Sequence, residues 1–335
     1  MTNLYVLGNA GSAPSGWTKI TTYDGYYLRF GNSYAGHGTT GGSATHTHGS
    51  SGVTIGNCSG SSFYFNLTGT NMMKVHSGTL NITSGTSGSN TPPYYELELY
   101  RINLTTWETS HKYFPVGSIL LSDSVLSGSE MSRFSSPDGR LLKFGSPGLT
   151  GGTAGHTHAV AGNVSCTSLN LSVGSYDDGD VSNPTDHTHA WSTTSNSQDV
   201  TPLRLQTRFY RVNQLVNRAL TGAICFVDDT PSANWDLMSG WNGYFAESLD
   251  GYTTTGSNAH EHNGLSTTSA NYTASVLRYR SGTTSRTFAN RPHNHTVAFN
   301  LASADHTPQY VTLIPVKLNT TLYRPMGRSI CVSMC

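Results

Sequence analysis

Apolar positions along the chain come in short runs separated by turn-forming residues, with no stretch that repeats at helical spacing. Leu4-Tyr5-Val6-Leu7, Ser118-Ile119-Leu120-Leu121 and Ala223-Ile224-Cys225-Phe226 are compact runs of strand length. A second set follows a turn dipeptide: Tyr26-Tyr27-Leu28 after Asp24-Gly25, Leu141-Leu142 after Asp138-Gly139, and Tyr244-Phe245 after Asn242-Gly243. Because both residues of such dipeptides tolerate positive φ, each predicts a tight hairpin. A third set alternates, as in Tyr95, Leu97 and Leu99 against Glu96 and Glu98, the period of a half-buried strand.

These elements recur in one order. A Thr-Pro opens the alternating strand and an Asn closes it twelve positions later, from Thr91 to Asn103, Thr201 to Asn213 and Thr307 to Asn319. An apolar residue, Trp17, Met131 or Trp235, stands seven positions before the turn dipeptide each time. The pattern divides the chain into three β-rich units of about 100 residues, at 1–104, 114–213 and 220–319, with a tail at 320–335. The fold class expected is all-β, with the units set about a threefold or pseudo-threefold axis.

Composition sharpens this picture. The 36 glycines disfavour long helices, while 18 Tyr, 11 Phe and 5 Trp supply enough apolar area for ordered cores. Nineteen basic residues against nineteen acidic ones leave no field to attract phosphates, so no nucleic-acid partner is expected. No apolar run approaches the ~20 residues of a membrane span, and the first residues lack a signal-peptide pattern. No membrane insertion is expected, and the product is expected to fold inside the cell that makes it. Cys58, Cys166, Cys225, Cys331 and Cys335 are odd in number and widely spread, which predicts free thiols.

The chemistry lies in histidine. Ten of the fourteen fall in five His-x-His pairs: His46/His48, His156/His158, His187/His189, His260/His262 and His293/His295. Residues two apart on a strand share a face, so one pair can aim two imidazoles at one point. His156 and His260 each follow their turn dipeptide by eighteen positions, and His46 by twenty-two. His189 and His295 precede the Thr-Pro proline by thirteen, and His76 is the nearest counterpart in the first unit. Such repetition predicts ligation of a structural divalent metal; imidazole suits iron, nickel, zinc or copper, iron or zinc foremost, and three converging pairs would give six nitrogens. His37, His111 and His306 belong to no pair and receive no role. Trp17, Trp235 and Met131 read as core anchors, while Trp107, Trp191 and Trp241, if exposed, could stack on sugar rings.

Pro14 to Trp17, Tyr23 to Gly31, Gly41 to His48 and Asn90 to Ile102 follow the order of a collar-like domain, and the later units keep much of it. In these residues the chain resembles bacteriophage tail-collar and tail-fibre tip proteins. The resemblance implies a trimeric β-rich fibre or tip on a virion, assembled in the host cytoplasm. It also implies partners among other tail or fibre proteins and a glycan or protein receptor on the host surface. Some tips of that family bind iron through His-x-His pairs from three chains. Here two arrangements stay open: a homotrimer with one metal layer per pair, or one chain whose three units close on their own metals. The function expected is a non-enzymatic adhesin with recognition in loops 49–70, 159–183 and 263–290. Its alternative is a self-assembling structural protein of a virion or filament.

Overall fold

The computed structural model describes residues 2–9, 11–55, 77–83, 88–111, 113–167, 187–214, 218–219, 221–269, 277–281, 284–288 and 295–323. The molecule is nearly all β, with 50% strand and 5% helix, and contains a closed eight-stranded barrel. The circuit runs through Arg204–Val212, Ser118–Ser122, Asn3–Gly8, Ile224–Val227, Tyr310–Leu318, Tyr27–Phe30, Leu141–Phe144 and Phe245–Ser248, and closes where the last pairs with Arg204–Val212. Tyr94–Asn103 lies alongside, pairing with Asn3–Gly8 and with Leu141–Phe144.

The short apolar runs form opening strands that meet one another, at Leu7↔Ile119, Leu4↔Val227 and Leu121↔Ile224. Each also pairs antiparallel with the long closing strand that follows it in sequence. The strands after the turn dipeptides, Tyr27–Phe30, Leu141–Phe144 and Phe245–Ser248, pair in parallel with a closing strand from elsewhere in the chain. Leu141 faces Tyr94, Phe245 faces Arg204, and Tyr27 faces Tyr310. One core gathers Leu28, Phe30, Leu97, Leu142, Phe144, Phe209, Phe226, Trp241 and Leu313, and a second gathers Leu4, Tyr100, Trp107, Leu120, Trp235 and Val316.

The expected hairpins do not form at the turn dipeptides. Gly25, Gly139 and Gly243 do hold positive φ. However, Thr18–Ile20 pairs with Tyr94–Asn103 while Tyr27–Phe30 pairs with Tyr310–Leu318, so the turn passes the chain between two partners. Local turn chemistry was right, and the long-range pairing that buries more surface decided the partners. The alternating carboxylates also do not face open water. Glu98 is 1% exposed and is met by Lys19, by the Tyr100 hydroxyl at 2.5 Å and by the Gly11 N–H at 2.9 Å. Burial pushes its carboxyl upward, but these three partners outweigh it and hold it below the usual range.

Trp107, Trp191 and Trp241 are all buried, so none offers a sugar-stacking face. Trp17 and Trp235 are buried as expected, and Met131 packs against the second core. The segments read as recognition loops begin as strands: Ser50–Ile55 pairs with Thr296–Asp305, and Ala159–Thr167 lies between Ser77–Thr83 and His187–Thr194. The rest of the first two loops, 56–70 and 168–183, lies outside the described residues. Cys225 is a buried free thiol, whereas Cys58, Cys331 and Cys335 lie outside the described residues. Among those residues no helix is long and apolar enough to cross a membrane.

Candidate metal centre

Three glycines set the approach to the histidines. A Cβ on Gly42 would stand 2.0 Å from the Pro308 carbonyl oxygen, one on Gly152 2.1 Å from that of Pro92, and one on Gly256 2.2 Å from that of Pro202. Only a residue without a side chain lets these backbones lie so close. Next to each contact the chain is tied down again, by Ser43 N–H to Thr307 O at 3.0 Å and Thr153 N–H to Thr91 O at 3.1 Å. Four positions after each glycine comes the first histidine of a pair, His46, His156 or His260. The Thr-Pro motif and the histidine pairs, far apart in sequence, are thus parts of one local structure.

The three pairs converge. His46, His48, His156, His158 and His260 offer nitrogens that all lie within 4.8 Å of one another. Nε2 of His46 is 3.1 Å from Nε2 of His48 and 3.1 Å from that of His156, which is in turn 2.8 Å from that of His158. Nε2 of His48 is 3.2 Å from that of His260. His262 completes the group, with its ring centroid 4.9 Å from His48 and 5.0 Å from His260. His48, His158 and His262 are 3%, 1% and 0% exposed.

The opposite face of the rings fixes the proton. His48 Nδ1 lies 2.6 Å from the Ala302 carbonyl oxygen and His262 Nδ1 2.7 Å from that of Asn196, so each Nδ1 must carry the hydrogen and donate it. His46 Nδ1 donates likewise to Asn90 Oδ1, whose amide is oriented by its own bond from Nδ2 to Ser43 O at 3.1 Å. A neutral ring with its hydrogen on Nδ1 has a bare lone pair on Nε2. The inward Nε2 atoms of His46, His48 and His262 are therefore acceptors, and Nε2 of His262 is buried with no hydrogen-bond partner. Burial, reinforced by the neighbouring imidazoles, pushes His156 down to about 3 and His260 to about 2. For His46 burial again leads, the Asn90 bond opposes it, and the value falls to about 4. These three rings are neutral at neutral pH.

Lone pairs gathered about 3 Å apart repel unless a cation sits among them. Nitrogens at the corners of an octahedron with edges of 2.8–3.2 Å would lie about 2.0–2.3 Å from its centre, a normal metal–imidazole distance. The residues present fit a metal ion.

No family model, curated protein or solved structure matches the chain. The tail-collar resemblance therefore stands on the residues that suggested it.

A second histidine group lies beyond an apolar plug. His189 and His295 face each other with ring centroids 4.7 Å apart. His295 immediately precedes the strand Thr296–Asp305, whose Val297, Phe299 and Leu301 pack with Val160, Val164, Trp191 and Leu265 before it reaches Ala302, the acceptor for His48. Seven residues of strand separate the two groups by about 20 Å. The side chain of His187, together with His293 and His76, lies outside the described residues.

The sequence reading assigned nothing to His306, yet it is 1% exposed and its Nδ1 meets Nδ1 of His260 at 2.9 Å. Its signal was positional: Asn90, Val200 and His306 each immediately precede a Thr-Pro. His37, also left without a role, packs against Tyr5 with ring centroids 4.8 Å apart and the planes tilted by 37°. The side chain of His111 lies outside the described residues.

Proposed function

We propose that this protein is a non-enzymatic virion fibre or adhesin component whose three units close around a pseudo-threefold axis within one chain, pinned there by a structural divalent metal. The observation that carries the metal reading is the convergence of Nε2 atoms whose hydrogens are committed to Nδ1 acceptors on the far side. Support for the single-chain arrangement comes from the recurring pairings, in which closing strands pair with the middle strand of the next unit and the last returns to the first. One chain supplies all three pairs of the cluster, which favours this arrangement over a homotrimer. Six imidazoles suit iron better than zinc, because structural zinc takes four ligands. Such a ligand set serves to hold a frame, not to bind substrate.

The host-contact role rests on the resemblance and on the frame's form, a closed β-barrel, since recognition residues lie by preference on the segments between the strands of such a frame. A glycan or protein on the host surface would be the partner. Native mass spectrometry with elemental analysis tests the metal and the chain count together. A monomer with bound iron supports the reading, while a metal-free protein or an obligate trimer overturns it. Replacing 168–183 by a short Gly-Ser link should abolish adsorption to host cells while the melting temperature holds. Unchanged adsorption by that variant, and by matching replacements at 56–70 and 270–276, would remove the adhesin role.

A further inference from the structure

The residue before the Thr-Pro that opens each closing strand occupies one backbone position in all three places. Asn90 N–H donates to Ala44 O, Val200 N–H to Ala154 O and His306 N–H to Asn258 O, each at 2.9 Å, and each acceptor stands two residues before the leading histidine of a pair. The strand registers agree: His46 faces Gly88, His156 faces Gln198 and His260 faces Ala304, always two residues before the position in question. All three side chains are buried, at 1%, 0% and 1% exposure.

Their chemistry differs. Asn90 presents an oriented carbonyl oxygen to His46 Nδ1. His306 presents an imidazole nitrogen to His260 Nδ1 at 2.9 Å. Val200 presents no polar atom, and His156 Nδ1 is buried without a hydrogen-bond partner. A hydrogen bond to the distal nitrogen fixes the tautomer and the ring plane of a metal-bound histidine and raises its basicity, and losing it lowers metal affinity by about 10–100-fold.

We propose that Asn90, Val200 and His306 are positioning residues that grade the three leading ligands, and that Val200 makes His156 the ligand from which the metal is released. The inference rests on the reading of the histidine cluster as a metal site. His46 and His260 are each held from behind by a polar partner, whereas the outer nitrogen of His156 has none. An ion leaving the cluster loses His156 first, and a chelator attacks on that side.

The test is the rate at which iron(II)-loaded, full-length protein yields its ion to a chromogenic chelator, followed by absorbance. Val200→Asn, which supplies His156 with a carbonyl acceptor, should slow release by about 10-fold or more, and Asn90→Val should speed it by a similar factor. His306→Asn should release at close to the parent rate, because an acceptor is kept, while His306→Val releases faster. Melting temperatures of the chelator-stripped variants separate ligand positioning from general stability: Asn90→Val also loses its bond to Ser43 O and should melt lower, whereas His306→Asn should stay close to the parent. If Val200→Asn fails to fold, the Asn90→Val and His306→Asn/Val comparison decides alone. Release rates within about twofold of parent across the variants that fold, with metal still bound, would overturn the grading and leave the metal site standing. A parent that binds no iron would defeat both.

Discussion

Gly42→Ala is expected to cost far more than an exposed glycine ordinarily would. Its φ is +72°, and an added Cβ would stand 2.0 Å from the oxygen and 2.7 Å from the carbonyl carbon of Pro308. An ordinary contact is about 3.4 Å or more, so a backbone carbonyl must retreat by over 1 Å. Left-handed backbone costs an L-residue about 1–2 kcal/mol and the forced displacement about 1–3 kcal/mol more, giving a total of about 2–5 kcal/mol. At roughly 2–4 °C per kcal/mol for a large domain, the melting temperature should fall by about 4–20 °C. Because His46 lies four residues on and Thr307 is tied to Ser43, bound metal should fall as well. Gly139→Ala is the control: its φ is +73° but its Cβ would meet nothing within 4 Å, so only the conformational cost applies. Calorimetry with elemental analysis reads both effects. Equal melting of the two variants would refute the close-approach argument.

Three further outcomes are expected. His156→Ala combined with His158→Ala should lower the melting temperature sharply, and a strong chelator should reproduce that loss in the parent; equal melting of parent and variant would remove the ligand assignment. Stability should fall as pH drops below about 6.5, because unfolded histidines take up protons there while His46, His156 and His260 stay neutral until about 4, 3 and 2. Metal retention should fall in the same direction, and a melting temperature flat from pH 7 to 5 would contradict both. Lys19→Met leaves the Glu98 carboxylate buried without its cation, at a cost of about 1–3 kcal/mol in denaturant titration, since Lys19 is one-third exposed. A loss below the error of the titration would show that Tyr100 and Gly11 suffice.

What could be read from the chain was whatever is local. Opening strands expected at Leu4–Leu7 and Ser118–Leu121 lie within Asn3–Gly8 and Ser118–Ser122, and the closing strand at Tyr95–Tyr100 lies within Tyr94–Asn103. Five histidines of three pairs gather in one cluster, with His262 beside them. Partner choice was not legible, because an Asp-Gly turn has the same residues whether its flanking strands pair with each other or with strands 280 positions away. The outer hydrogen bonds of the cluster were hidden for a related reason. Ala302 and Asn196 contribute backbone carbonyls, which every residue type carries, so no side chain announces them. His306 could have been found, had the position before Thr-Pro been compared across the three places. Glu96 and Glu98 misled because alternation marks two strand faces without saying whether the polar face meets water or a paired cation such as Lys143 or Lys19.

The pairing of Tyr310–Leu313 with Tyr27–Phe30 has a kinetic consequence. Loop-closure entropy for a contact of this sequence separation must be met before the contact returns any energy, so the strand that seals the barrel is the last to be rewarded. During synthesis Tyr27–Phe30 waits with one edge unpaired until most of the chain has left the ribosome, at about 5–20 residues per second. Over that interval the growing chain carries an open template for intermolecular strand addition, and its yield should depend on how quickly translation delivers the final closing strand.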